Sequence, residues 1–413
     1  RHPRARRAFD ADRCLAAGCF KVQKGSARMY LGDKSMRLKR KILLILIINA
    51  GFGLFGGEPL PVHAGPTPSF MGLDCQWGNV QAVSGDGQFI GGSCNGAATR
   101  WTVGGQGLAV TNPSTTHVGR GISEDGSVVV GQRHSDDRPF RWTSTTGVSY
   151  LNNLPGFLAV QTNRVSGDGT VVVGRGWSQS GTGPTRAWAW TTQGGMSLLG
   201  SLPGFAVGEH AFAASHNGGV ITGDCGEGRP CKWVAGQQDP IIIGDLPGGS
   251  DLGGAVAVTG NGQVIVGWVG SASGTEAFVW RQQSGMVGLG DLPGGSFESQ
   301  AWDVSENGMV VVGASLSAGG PAAFIWTEPM GMRDLRLFLE TEFALNLSGW
   351  ELRGAVGISN DGTVIVGNGY HYGAQKAWVA VIPEPGELSM LLLAAPFSAR
   401  FPRSRSGLCP SRK

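Results

Sequence analysis

An all-β fold is what this sequence predicts, and three observations carry the prediction. A hairpin signal recurs seven times, a tryptophan-closed strand follows the copies, and the 70 glycines among 413 residues recur in register with them. In chain order the copies are "VSGDGQFIGG", "ISEDGSVVVG", "VSGDGTVVVG", "ASHNGGVITG", "VTGNGQVIVG", "VSENGMVVVG" and "ISNDGTVIVG". Their shared hydroxyl residue is Ser84, Ser123, Ser166, Ser215, Thr259, Ser305 and Ser359, at offsets of 39 to 54 residues. That period suits four-stranded propeller blades and is too long for leucine-rich, ankyrin or tetratricopeptide units.

Each element follows from local chemistry. Asp-Gly between two apolar runs is a strong hairpin signal and predicts a type I′ turn, which needs positive φ at both central residues. The run after it, as in Val364-Ile365-Val366, is continuously β-branched and reads as a strand covered on both faces. A third strand is closed by a tryptophan: Trp101, Trp142, Trp190, Trp233, Trp280, Trp326 and Trp378. These are expected to pack between sheets, each worth roughly 4–6 kcal/mol as a gross upper bound. A glycine turn and a fourth strand follow, ending in "LPG" around Pro155, Pro203, Pro247 and Pro293. The last copy supplies only three strands, while "SFMGLDC" (69–75) ahead of the first hairpin has the register of a fourth. The expectation is a seven-bladed β-propeller of four-stranded blades, closed by an N-terminal strand completing the last blade.

Composition divides the chain into four segments. Residues 1–35 precede Met36, a natural start, and are expected to be a non-native or disordered upstream extension. Residues 36–64 read as a secretory signal peptide: a basic start from Arg37 to Lys41, an apolar run from Ile42, and cleavage between Ala64 and Gly65. Glycines from Gly51 onward break the run well short of the ~20 residues a membrane span needs. Residues 65–381 form the propeller, and 382–413 read as a sorting tail. Residues 65–399 carry 15 Lys and Arg against 26 Asp and Glu, about −11, although the whole chain is formally +3, so nucleic acid is not an expected partner. In an oxidising compartment the module's four cysteines predict two disulfides, Cys225 with Cys231 across the hairpin "GDCGEGRPCKW" and Cys75 with Cys94.

Two stretches resemble known families. Pro383-Glu384-Pro385, apolar residues 388–398 and the basic Arg400, Arg403 and Arg405 resemble the sorting tail of PEP-CTERM proteins, which implies processing by an exosortase. The apolar part is shorter than a span and contains Pro396. Units such as "EAFVWRQQSGMVGLGDLPGGSFESQAWDVSENGMVVVG" (276–313), and 332–367 with its helical insertion, resemble the extracellular HAF-family repeat over about residues 71–380. That resemblance implies an exported repeat protein of a Gram-negative bacterium, associated with the cell surface, exopolysaccharide and biofilm matrix.

No catalytic motif stands out. G-x-S-x-G, a Walker loop, H-E-x-x-H, paired C-x-x-C and an EF-hand loop are missing from the sequence. The seven S-x-[DN]-G turns differ from a sialidase Asp box in the position of the Gly, and one acid per turn does not make a calcium cage. No cofactor and no metal are expected, and His210 reads as a strand-end polar residue. The residue two before each aligned hydroxyl should line the channel: Ala82, Gly121, Arg164, Ala213, Ala257, Asp303 and Gly357. Arg164 and Asp303 are then a buried pair, or Arg164 a site for a small anion. Loops between second and third strands should gather on one rim, where Trp177, Trp268, Tyr370 and Tyr372 can stack on sugar rings. The expected function is a non-enzymatic module that binds extracellular polysaccharide or surface proteins. The rival is a polysaccharide hydrolase or lyase, which needs an acid pair; Asp136, Asp137, Glu298 and Asp303 are the acids near a rim or the channel.

Overall fold

The computed structural model describes residues 66–384 except 76–77, 153, 179–184 and 204–207, all within the compact unit Ala64–Lys413. The expected leader, with Ala64 and Gly65, and the tail from Pro385 lie outside the described residues; Pro383 and Glu384 follow the last strand.

Each sequence repeat folds into an antiparallel sheet whose first strand leads into the S-x-[DN]-G turn. These first strands are Gly78–Val83, His117–Ile122, Phe157–Val165, His210–Ala214, Gly253–Val258, Gly294–Val304 and Trp350–Ile358. Repeats five and six meet through one parallel bridge, Thr275 to Glu298, and so share a sheet. The last repeat's third strand, Ala374–Val381, pairs on its outer edge with Ser69–Gly72, Ser69 opposite Val381 and Gly72 opposite Trp378. Between repeats six and seven lies a helix, Leu335–Phe343, capped by Asp334 accepting from the Leu337 amide. Its Leu335, Phe338 and Leu339 are buried in the apolar layer between those repeats.

The turns are in place but are not type I′. Positive φ falls on the glycine alone, as at Gly87, Gly126 and Gly362, and the Gly87 amide donates to the Ser84 carbonyl. The loop is a four-residue one built on a type I turn with glycine in the left-handed region. The aligned hydroxyl makes that loop the better choice. Ser359 Oγ donates to Asp361 Oδ1 at 2.6 Å and accepts from the Val364 amide at 2.9 Å. The second contact recurs in every repeat.

A bulge interrupts the first strand of every repeat. The pairing skips one residue between Val80 and Ala82, Gly119 and Gly121, Thr162 and Arg164, and correspondingly in the other four. Opposite the bulge stands the glycine that ends each "VVVG"-like run. A Cβ at Gly131, Gly267 or Gly313 would lie 1.9, 1.9 or 2.0 Å from the carbonyl oxygen of Val118, Gly254 or Gln300. The glycine is required by the bulged strand's close approach.

Six of the seven expected tryptophans share one ladder position, from Trp101 opposite Ile90 to Trp326 opposite Val311. Trp378 does not. It stands opposite Gly367, and Ala380 takes the expected place opposite Ile365. Trp378 instead shares the position of Phe140, Trp188, Phe278 and Phe324, each opposite a bulge glycine.

Cys75 and Cys94 form a disulfide, whereas Cys225 and Cys231 are buried thiols. Register explains the second result: Cys225 faces Arg229 and Cys231 faces Gly223, so the two are diagonal neighbours, farther apart than a bridge prefers. Burial first, then hydrogen bonding with Cys225, pushes the Cys231 thiol far up.

Candidate functional site

The first strands converge on a central cavity, lined by Ala82, Gly121, Arg164, Ala213, Asp303 and residues of the remaining repeats. Arg164 and Asp303 bridge it. Arg164 Nη1 lies 3.3 Å from Asp303 Oδ1, and Nη2 donates to the carbonyls of Trp302 and Val356 at 3.2 and 3.4 Å. Asp303 Oδ2 accepts from the Ile358 amide at 3.0 Å. Burial raises the Asp303 carboxyl above its usual range despite the Arg164 charge. The guanidinium is thus engaged by three acceptors, and the pair forms a crossbar.

At the turn end, side chains fold over the opening. Glu124 Oε2 lies 2.7 Å from His216 Nδ1, and Glu306 accepts from the Gly260 and Asn261 amides at 2.5 and 3.1 Å. Both carboxylates belong to the residue just after the aligned Ser; Glu306 ties the turns of adjacent repeats five and six, and Glu124 reaches from the turn of repeat two to that of repeat four.

On the other side of the crossbar lies a vestibule of about 310 Å³. Its wall is made by the bulge residues, one per repeat: Gln81, Arg120, Asn163, Phe212, Val256, Trp302 and Val356. Sequence reasoning missed this set because strict alternation does not reveal a bulge. A signal was nevertheless present. A Cβ on Gly254 would meet the Phe212 ring at 3.1 Å, and one on Gly354 would meet Trp302 at 2.3 Å. Each aromatic bulge residue lies over a glycine of the next repeat.

The vestibule is cationic on one side. Arg120 takes part in no ion pair among the described residues, and its Nε has no acceptor. Burial, and then the neighbouring Arg175 charge, lower its pKa. Arg175 itself donates to Gln161 Oε1 at 2.9 Å and reaches His210 Nε2 at 3.2 Å. His210 is therefore more than a strand-end residue. Its Nδ1 meets Asp224 Oδ2 at 2.9 Å, and Thr185 Oγ1 shares the Nε2 contact at 3.2 Å. Two donors contend for one lone pair, an arrangement that fixes the imidazole in place.

No protein-family model matches the chain, and no curated protein matches it. Among solved structures it is similar to oligogalacturonate lyase from Vibrio parahaemolyticus, at 12% identity over 78% of this chain and 99% of that one, with a TM-score of 0.52. It is also similar to TolB from Acinetobacter baumannii, at 12% identity over 74% of this chain and 64% of that one, with a TM-score of 0.41. The chain thus spans less than two thirds of that TolB. That lyase is a β-propeller, and this chain is likewise all-β with many four-stranded sheets. The fold is a β-propeller.

The aromatic residues expected on a propeller rim are spread out. Trp177 and Tyr370 lie one residue before the ends of the second strands of repeats three and seven, and Trp268 lies within that strand of repeat five. Tyr372 alone is in a turn, 76% exposed and at φ +47°. Arg175 stacks over Trp177 and Arg353 over Tyr370, with the guanidinium carbon 4.9 and 5.4 Å from each ring centre. The acids are likewise dispersed: Asp136 pairs with Arg133, Asp137 accepts from Gln132, and Glu298 sits at the bridge between repeats five and six. Among the described residues no group of three or more His, Cys, Asp or Glu is placed to hold a metal ion.

Proposed function

We propose that the chain is an exported seven-bladed propeller, closed by Ser69–Gly72 completing the last blade, that acts as a non-enzymatic binding or scaffolding module at the bacterial surface or in exopolysaccharide matrix. Closure is supported by the seam between the last and first repeats, which uses the contacts found between consecutive ones. Ser93 accepts from the Gly119 amide and Gln132 from the Thr162 amide; at the seam Asn368 accepts from the Val80 amide and donates to its carbonyl. The turns are linked likewise, Asp86 to Glu124, Glu124 to Gly167, and at the seam Asn360 to Gly85, each through a backbone amide.

The observation carrying the binding reading is a contrast along the central cavity. Asp303, Glu124 and Glu306 are engaged in holding repeats together, while the vestibule keeps amides, aromatic faces and a guanidinium that pairs with no carboxylate among the described residues. A hydrolase or lyase acts through acid and base groups set at a fixed separation over the substrate, and the acids named from the sequence do not gather. Export rests on the leader at 36–64, and surface sorting on exosortase processing at Pro383-Glu384-Pro385. The purified protein, incubated with matrix polysaccharides, is expected to bind one without shortening it. Release of unsaturated or reducing ends would instead establish the lyase or hydrolase. Fractionating cells that express the chain with and without its last 30 residues tests the address.

A further inference from the structure

We propose that the vestibule binds the carboxylate of an acidic sugar residue, with Arg120 as the anion-binding side chain and Phe212 and Trp302 as the walls that receive the ring. The proposal rests on the binding reading and names the ligand class.

Charge placement is the first argument. The module is about −11 over residues 65–399, yet the described lining of the vestibule includes no carboxylate; Asp303, beneath it, is matched by Arg164, and Asp224 interacts with Arg175. Arg120 is left as an uncompensated cation whose neighbour is a second guanidinium, Arg175. A partly desolvated charge facing a like charge is unfavourable until an anion completes it. Shape and polarity give the second. Gln81 Nε2 donates to Asn79 Oδ1 and Asn163 Nδ2 to the Ala211 carbonyl, and each amide keeps its oxygen as an acceptor and a second N–H as a donor for sugar hydroxyls. One guanidinium fork matches one carboxylate, and aromatic faces match the apolar face of a pyranose. A volume of about 310 Å³ admits a sugar residue rather than a folded partner.

The test titrates the purified full chain and its Arg120→Gln variant with a glucuronate tetramer and, separately, a glucose tetramer, following tryptophan fluorescence. The wild type is expected to prefer the uronate, to lose affinity with added salt, and to release it to free glucuronate but not to glucose. Arg120→Gln is expected to weaken uronate binding about tenfold or more. Equal uronate affinity in the variant, or equal affinity for the neutral tetramer, overturns this site while leaving the binding reading standing. If neither tetramer nor matrix polysaccharide binds, both fall. Should the variant fail to fold, competition on the wild type decides: no displacement by glucuronate overturns the proposal.

Discussion

Replacing Gly267 with alanine places a methyl group where the bulge leaves no room. The new Cβ would lie 1.9 Å from the Gly254 carbonyl oxygen, 2.9 Å from its carbonyl carbon and 3.1 Å from the Phe278 ring. Favourable contacts need about 3.5 Å, so the strands must separate by roughly 1.5 Å. The nearest atom belongs to backbone, which cannot swing aside as a side chain can. Overpacking costs about 1–3 kcal/mol, and a lost ladder contact adds about 1, giving roughly 2–4 kcal/mol. Gly285 is the control. It lies at φ +75° with nothing within 4 Å, so alanine there carries only the left-handed penalty of about 1–2 kcal/mol. Urea unfolding of both variants, followed by tryptophan fluorescence, supplies midpoints and slopes for the comparison. If Gly267→Ala costs no more than Gly285→Ala, the strand can slip, and the bulge is not the reason for glycine at this position.

Four further outcomes are expected. Trp378 is fully buried with no partner for Nε1, and repeats two, five and six carry Phe in its place, so Trp378→Phe should be neutral or stabilising by about 1 kcal/mol in the same unfolding assay. Ser166→Ala strips the Val171 amide of its acceptor and should cost about 1–3 kcal/mol at neutral pH. Asp168 is held below the usual carboxylate range because hydrogen bonds from Ser166 and Thr170 outweigh burial. Its stabilisation is thus present above the unfolded pKa and is lost as pH falls through the folded value; the gap between wild type and variant should narrow on acidification. Asp303→Ala leaves Arg164 short of its carboxylate and Ile358 of its acceptor and should cost about 2–4 kcal/mol by urea unfolding. Because burial raises the Asp303 pKa, its own titration acts in the opposite sense, favouring the fold below the unfolded pKa and losing that contribution as pH rises through the folded one. Alkylation of the unreduced, unfolded protein followed by peptide mass mapping should find Cys225 and Cys231 labelled and Cys75 and Cys94 protected.

The repeat frame was legible because it is written in small, strongly constrained residues. The aligned Ser, the Asp or Asn two places on and the Gly after it each satisfy a local need, and that need places strand ends without reference to tertiary structure. What escaped was anything set by register. The Trp378 misplacement arises because Ala380 stands where six other repeats have indole, so matching residue type pulls the alignment off by two. Cysteine spacing likewise indicates that Cys225 and Cys231 lie near each other but not whether they are opposite or diagonal. The turn type was misread because Asp-Gly fits a two-residue hairpin, and only the buried Ser hydroxyl, reaching the amide five residues on, selects the longer loop.

The same cause hid the vestibule. A residue on a bulge lies outside the ladder, so neither periodicity nor pairing constrains its type, and the seven positions run through Gln, Arg, Asn, Phe, Val, Trp and Val. One residue toward the turn, five of the seven side chains are no larger than alanine, because there the strands crowd together; Gly121, for instance, would bring a Cβ to 3.0 Å from the Arg164 backbone. The device that forces glycine on the second strand therefore also frees one residue per repeat to face the cavity. Tight framework positions alternate with an unconstrained one at the same place in all repeats, so the chemistry of the cavity can be rewritten there with little effect on the sheets. A ligand specificity carried at these positions would change by single substitutions, and the Phe212 over Gly254 and Trp302 over Gly354 contacts show the limit: a large residue on one bulge demands glycine on the next repeat's first strand.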